Sequence, residues 1–145
     1  MRIAVLADTH DRLPAALRAP LAGADEIWHL GDVCDPLILA LLETFGPPVL
    51  IVRGNCDSHL AWPLTLDLTR AGHRLHLIHI PPRTAPAGCD LLLHGHTHFP
   101  RDEMHGGTRF LNPGCITRPN RGAPASYGWL ELEAEKDAVW SIVRL

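Results

Sequence analysis

The sequence predicts an α/β fold built on a mostly parallel sheet buried on both faces. Short apolar runs at residues 2–7, 26–30 and 49–52 each stop at a polar cluster containing Asp or Asn. Helical segments separate these three runs, as in strand–helix–strand units. The runs lack apolar/polar alternation, which is the pattern of strands covered on both sides.

Each element follows from local chemistry. Residues 2–7 form a buried strand that stops at Asp8-Thr9-His10-Asp11. Residues 14–22 form a short helix with Pro14 near its first turn, where a missing N–H costs nothing. Residues 26–30 are a strand ending at Gly31-Asp32, and Asp35-Pro36 then supplies an N-cap and a first-position Pro for a helix over 37–45. Gly46-Pro47 ends that helix, and the strand at 49–52 stops at Gly54-Asn55-Cys56-Asp57. The second half is strand-rich. Residues 64–68 alternate and Gly72 turns the chain into a strand at 74–79. A Pro-rich loop at 81–86 leads to a core strand at 90–93, which ends in His94-Gly95-His96-Thr97-His98. A short strand at 108–111 stops at Asn112-Pro113-Gly114, and 126–133 pairs with 138–143 around Glu135-Lys136-Asp137.

A chain of 145 residues falls in the single-domain range, so residues 1–145 are expected to form one domain. With 46% hydrophobic and 20% charged residues it has ordinary globular composition, which excludes disorder. A net charge of −3 argues against non-specific nucleic-acid binding, which needs a basic face. No apolar run reaches the ~18 residues of a membrane span. Cys34, Cys56, Cys89 and Cys115 form no CxxC pair, and no secretion signal is seen. Reduced thiols in a cytoplasm are the expectation. Ten His stand out, because seven lie between His73 and His105.

In an open α/β sheet, ligands bind outside the carboxyl ends of the strands, so the polar clusters converge on one edge. Asp8, His10, Asp32, Asn55, His79, His96 and His98 combine carboxylate, amide oxygen and imidazole. These donors suit Mn, Fe, Co, Ni or Zn. Seven donors exceed one tetrahedral ion and suit two ions sharing a carboxylate, the arrangement that clamps both oxygens in phosphoryl transfer. Asp8 and His10, like His96 and His98, are spaced i, i+2, so at a strand end both side chains leave on one side. Each cluster alone also reads as a turn, Asp and Asn being favoured there; their joint occurrence at strand ends is what points to a metal.

Asp8-Thr9-His10, Gly31-Asp32, Gly54-Asn55-Cys56-Asp57 and Gly95-His96-Thr97-His98 resemble the motifs of the calcineurin-like metallophosphoesterase superfamily. Asn112-Pro113-Gly114-Cys115 and the segment 124–128 resemble its small prokaryotic, YfcE-like phosphodiesterase branch. The resemblance runs from Arg2 to about Glu133. It implies a four-layer α/β/β/α sandwich of two facing mixed sheets with flanking helices. It also implies that Asp8, His10 and His98 hold one ion, that Asn55, His79 and His96 hold the other, and that Asp32 bridges them. Asp32, Asn55, His96 and His98 would then be catalytic. The implied cofactor is a pair of divalent ions, Mn first, with Fe, Ni, Zn and Co as alternatives. The implied reaction is hydrolysis of a small phosphate ester by a hydroxide between the ions. Two divalent ions contribute +4 against −2 from Asp8 and Asp32, so such a site favours a phosphate ester.

Three features depart from the family pattern. Cys56 stands where many relatives have a His thought to protonate the leaving group; Cys is a branch trait, and His29 or His59 is an alternative donor or a packing residue. His79 is followed by Ile80-Pro81 instead of Gly, with His76 the rival ligand on the other strand face. The segment 81–89 is short, where relatives carry a helix. His94 is either a partner of the ligands or a packed strand residue, and His73 and His105 are loop residues. Arg53, Arg118 and Arg121 are candidates for phosphate contact. Trp62, Trp129 and Trp140 read as core or dimer surface, so a homodimer is an open expectation. Alternative functions are a non-catalytic interaction scaffold, as in a retromer subunit of this fold, and a protein phosphatase, for which 145 residues leave little docking surface.

Overall fold

In the computed structural model, which describes residues 1–145, ten strands form two five-stranded mixed sheets. The first has the order β10-β9-β1-β2-β3, from β1 (Arg2–Leu6), β2 (Glu26–His29), β3 (Val49–Ile51), β9 (Ser126–Glu131) and β10 (Val139–Arg144). Its centre is parallel, β1 pairing β2 and β2 pairing β3, while β9 and β10 add antiparallel strands. The second has the order β4-β5-β6-β8-β7, from β4 (Thr65–Arg70), β5 (His73–Ile78), β6 (Leu91–His94), β7 (Arg101–His105) and β8 (Thr108–Asn112). It too has a parallel centre, β5-β6-β8, with antiparallel strands outside.

The two sheets face each other across one apolar layer. Ile3, Val5 and Trp28 from the first sheet meet Leu75, Leu77, Leu91, Leu93 and Leu111 from the second, all but fully buried. Burying such side chains contributes roughly 1.5–3 kcal/mol each, which locks the register of the sheets. The outer face of the first sheet is covered by a 3-10 turn (Ala15–Leu17), α1 (Arg18–Leu21) and α2 (Pro36–Glu43). Leu17, Leu21 and Leu42 pack there on Ala4, Leu6 and Ile27. α2 starts as its sequence dictates: the Asp35 carboxylate accepts the Leu37 N–H at 2.9 Å, with Pro36 at the first position.

Helical cover is slight. The helix expected over 14–22 is a 3-10 turn followed by a single α-turn. No helix forms between β5 and β6, where Pro81, Pro82 and Pro86 interrupt the backbone N–H supply. The hairpin β7–β8 adds a strand not foreseen in the sequence. Trp129 and Trp140 belong to the interior packing, and Trp62 stacks on His59 with ring centroids 4.8 Å apart.

Candidate metal centre

All parallel strands of both sheets point their carboxyl ends at one edge, and the loops there carry the polar clusters. Gly31 and Gly54 let the β2 and β3 loops touch: a Cβ on Gly31 would lie 2.7 Å from Gly54 N, and one on Gly54 would overlap Asp32 N outright. Their contact brings Asp32 beside Asn55. The loops are conformationally unusual. Asp8, His10, Asp32, His96 and His98 all have positive φ, between 42° and 66°. Non-glycine residues rarely adopt this region, at a cost of about 1–3 kcal/mol each. Five of the seven donors predicted from the sequence are therefore aimed by backbone strain.

The side chains form two adjoining groups. In one, His98 Nε2 lies 3.2 Å from His10 Nε2 and 3.3 Å from Asp8 Oδ1. His98 Nδ1 donates to the Arg118 carbonyl at 2.6 Å, so a neutral ring turns a lone pair toward Asp8 and His10. In the other, His79 Nε2 lies 3.3 Å from Asp32 Oδ1 and 3.0 Å from Asn55 Oδ1, while His79 Nδ1 donates to the Leu30 carbonyl at 2.7 Å. His96 Nδ1 is 2.9 Å from the same Asn55 oxygen. Asp8 Oδ1 is fully buried and accepts no hydrogen bond. Imidazole nitrogens and acceptor oxygens crowd together here, with an orphaned carboxylate oxygen among them, an arrangement that a cation between them would satisfy. The residues thus fit a divalent cation, and their nitrogen and oxygen donors suit borderline metals.

The electrostatics agree with that geometry. Burial pushes the Asp8 carboxyl up to about 7, despite the nearby imidazoles. Asp32 goes the other way: burial would raise it, but hydrogen bonds from His79 and the Cys56 N–H outweigh burial and hold it well below the carboxylate range. Burial also lowers His79, yet Asp32, the Leu30 carbonyl and the charge of Asp8 together raise it. His10 and His96 lie below the ordinary histidine value, chiefly through burial, so both rings are neutral near pH 7.

Supporting residues hold these donors in place. Asp57 is buried and accepts three backbone N–H groups, from Asp32 at 3.0 Å, Gly54 at 2.7 Å and Cys34 at 2.7 Å. Asn112 donates to the Gly95 carbonyl at 2.9 Å and accepts from the Gly114 N–H at 2.7 Å, which ties the β8 loop to the His96–His98 turn. The Cys115 thiol donates to the Asp8 carbonyl at 3.1 Å. His29, fully buried, accepts the Gly31 N–H and so directs Nε2 to Thr9 Oγ1 at 3.1 Å. Burial drives its pKa down to about 4, which unsuits it as a general acid. Sequence reasoning assigns none of these supporting roles. The Asp57 role has a signal in Gly54-Asn55-Cys56-Asp57, since Asp caps N–H groups of its own turn.

Other candidates separate clearly. His76 pairs across strands with Asp67 at 2.8 Å, away from the edge that His79 reaches. His94 is buried against Asn112 and Phe110, so it is both packed and in contact with a supporting residue. His73 and His105 lie on strands β5 and β7, not in loops. The Arg118 carbonyl anchors His98, and the Arg118 charge depresses His10. Arg53 flanks Asn55. Arg121 is not brought to the cluster: its guanidinium sits over Phe99, 5.8 Å from the ring centroid. Arg121 has left-handed backbone (φ 51°) and lines a cleft with Phe99 and Pro100.

An α/β sandwich whose strand ends gather carboxylates, imidazoles and an amide oxygen is the architecture of a metal-dependent hydrolase. The chain belongs to the calcineurin-like phosphoesterase superfamily, whose domain model matches residues 1–135. It is 35% identical to phosphodiesterase YfcE of Escherichia coli K12 over 162 aligned positions, covering 90% of this chain and 88% of that protein. The solved structure of the E. coli phosphoesterase Yfce superposes with a TM-score of 0.78 at 29% identity, covering 99% of both chains. Vps29 of Entamoeba histolytica, solved with Zn²⁺, shares the fold with a TM-score of 0.78 at 21% identity, covering 99% of both chains. No helix is long and apolar enough to cross a membrane.

Proposed function

We propose that the protein is a phosphodiesterase that hydrolyses a small phosphate ester at a dinuclear metal centre. The observation that carries this is the double set of opposed acceptors: Asp8, His10 and His98 on one side, Asn55, His79 and His96 on the other, with Asp32 between. Asp8, His10 and His98 would hold one divalent ion and Asn55, His79 and His96 the second, Asp32 serving both; Mn is the first expectation. When bound, the ions supply Lewis acidity and a water whose pKa is lowered toward neutrality.

The chain's own part is positioning. His98 and His79 are fixed in single tautomers by the Arg118 and Leu30 carbonyls, so their Nε2 lone pairs stay aimed inward. Strained backbone at five donors keeps the site preorganised, which is where electrostatic catalysis gains its advantage. Arg118 and Arg53 border the centre as cations for the phosphoryl oxygens. His29 is buried and Cys56 carries a thiol raised by burial and by Asp32, so neither is suited to protonate a poor leaving group. The substrate is therefore an ester with a good leaving group, in a cytoplasmic setting.

The test is hydrolysis of bis(p-nitrophenyl) phosphate by Mn²⁺-loaded protein, against p-nitrophenyl phosphate and an EDTA control. Turnover abolished by EDTA, with the diester preferred, is expected. No turnover with any of several divalent metals, at two bound ions per chain, would favour an interaction scaffold. Turnover is also expected to fall on acidification, first as His79, whose pKa is raised, gains a proton and further as His10 and His96, whose values are lowered, do so, because protonated imidazoles lose the lone pair that binds metal. A flat profile down to pH 5 would remove imidazole from the centre.

A further inference from the structure

Beside the metal centre runs a cleft of about 550 Å³ that the chemistry above leaves unused. It begins at Asn55 and His79, two of the opposed donors, and is walled by Leu60, Leu64 and Ile80 with Arg53 at its rim. These aliphatic side chains are exposed to an unusual degree, Leu60 at 81%, Leu64 at 60% and Ile80 at 49%. A contiguous apolar wall that opens on a cluster of charged donors is the form of a small-molecule site, and the volume lies in the range of such sites. The wall is also held in shape. Arg53 N–H donates to the Pro63 carbonyl at 2.7 Å, and its guanidinium reaches the Leu60 carbonyl at 3.4 Å. The loop bearing Leu60 and Leu64 is thereby tied to the strand end that presents Asn55.

We propose that this cleft binds an apolar organic group, aryl or branched alkyl, of the phosphate ester. The inference rests on the phosphodiesterase reading and adds the substrate class to it. A phosphate at the donors places its ester group within reach of a wall that starts at two of them. Leu60 and Leu64 are specificity determinants on this account. Polar esters, such as those of glycerol, gain nothing from the wall.

The experiment compares two non-hydrolysable probes with identical head groups, phenylphosphonate and methylphosphonate. Their dissociation constants are measured by calorimetry on Mn²⁺-loaded wild type and on the L60S/L64S double variant. Wild type is expected to bind phenylphosphonate roughly tenfold tighter, the factor that burying about half a phenyl ring supplies. In the double variant that ratio should fall to about twofold or less. Both Leu residues are exposed, so their loss should leave the fold intact, which circular dichroism checks. A ratio equal in the two proteins overturns the proposal. So does a double variant that changes sedimentation behaviour but not the ratio, which would make the wall a contact between copies of this chain. Failure of both probes to bind, with no hydrolysis of bis(p-nitrophenyl) phosphate, overturns the phosphodiesterase reading itself. Hydrolysis together with an unchanged ratio overturns the cleft alone.

Discussion

Replacing Asp32 by Asn is expected to lower kcat/KM for a phosphodiester by at least about a thousandfold while the fold persists. Asn preserves the shape of the side chain and an oxygen for the Cys56 N–H, which Asp32 Oδ1 accepts at 2.8 Å. It removes the charge that faces His79 Nε2 at 3.3 Å. Partners that merely orient a metal ligand typically cost 10–100-fold when lost. If Asp32 serves two ions, as proposed, its loss should exceed that range, because both ions would lose affinity and their mutual repulsion would lose its screen. Metal content measured by elemental analysis should drop from two ions toward one or fewer, and the thermal midpoint of the metal-free protein should move by only a few degrees. Unchanged turnover would take Asp32 out of the centre.

Much of this site is legible in the sequence because its chemistry sits where chain geometry is most constrained. A buried parallel strand must end, and the residues just past its carboxyl end are identified by the end of the apolar run alone. Asp8, Asp32, Asn55 and His96 emerge that way; His10 and His98 follow two residues on, though left-handed backbone, not strand alternation, aims them. Strand alternation puts His76 and His79 on opposite faces, and His79 is chosen because it ends the apolar run; the structure sets His76 on Asp67 and His79 against Asn55. The hidden part depends on long-range partners. Beyond their own turns, Asp57, Asn112, Cys115 and His29 act on partners 17 to 107 residues away, which no local pattern encodes.

Strand β7 escapes sequence reasoning for a different reason. Arg101–His105 is an edge strand, mostly exposed, so it carries no apolar face to betray it. Its signal lies in the turn: Gly106 and Gly107 both have positive φ, the backbone that a two-residue hairpin demands. The helix expected at 14–22 errs in the opposite sense. A second proline, Pro20, lies inside it and has no N–H to continue the hydrogen-bond ladder from the preceding turn, so a 3-10 turn at Ala15–Leu17 gives way to a single α-turn, Arg18–Leu21, that contains Pro20.

The largest stability effect is expected from Asp57→Ala. The Asp57 carboxylate is the common acceptor for N–H groups of Asp32, Cys34 and Gly54, so it joins the β2 loop to the β3 loop at their closest approach. Alanine leaves these donors without a partner in a region too tight for easy water entry, as the overlap of a Gly54 Cβ with Asp32 N indicates. An unsatisfied buried donor costs about 1–3 kcal/mol. With the Cys34 donor near the surface and partly rescued by water, the total should be about 3 kcal/mol, or roughly 10 °C in thermal midpoint for a chain of this length. Asp57→Asn keeps one carbonyl oxygen and should recover about half. The loss should also appear in function, because the same bonds set the distance between Asp32 and Asn55. Metal affinity is therefore expected to fall in step with stability across wild type, Asp57→Asn and Asp57→Ala. A stable Asp57→Ala protein with unchanged metal affinity would show that the glycine contact alone aligns the two loops.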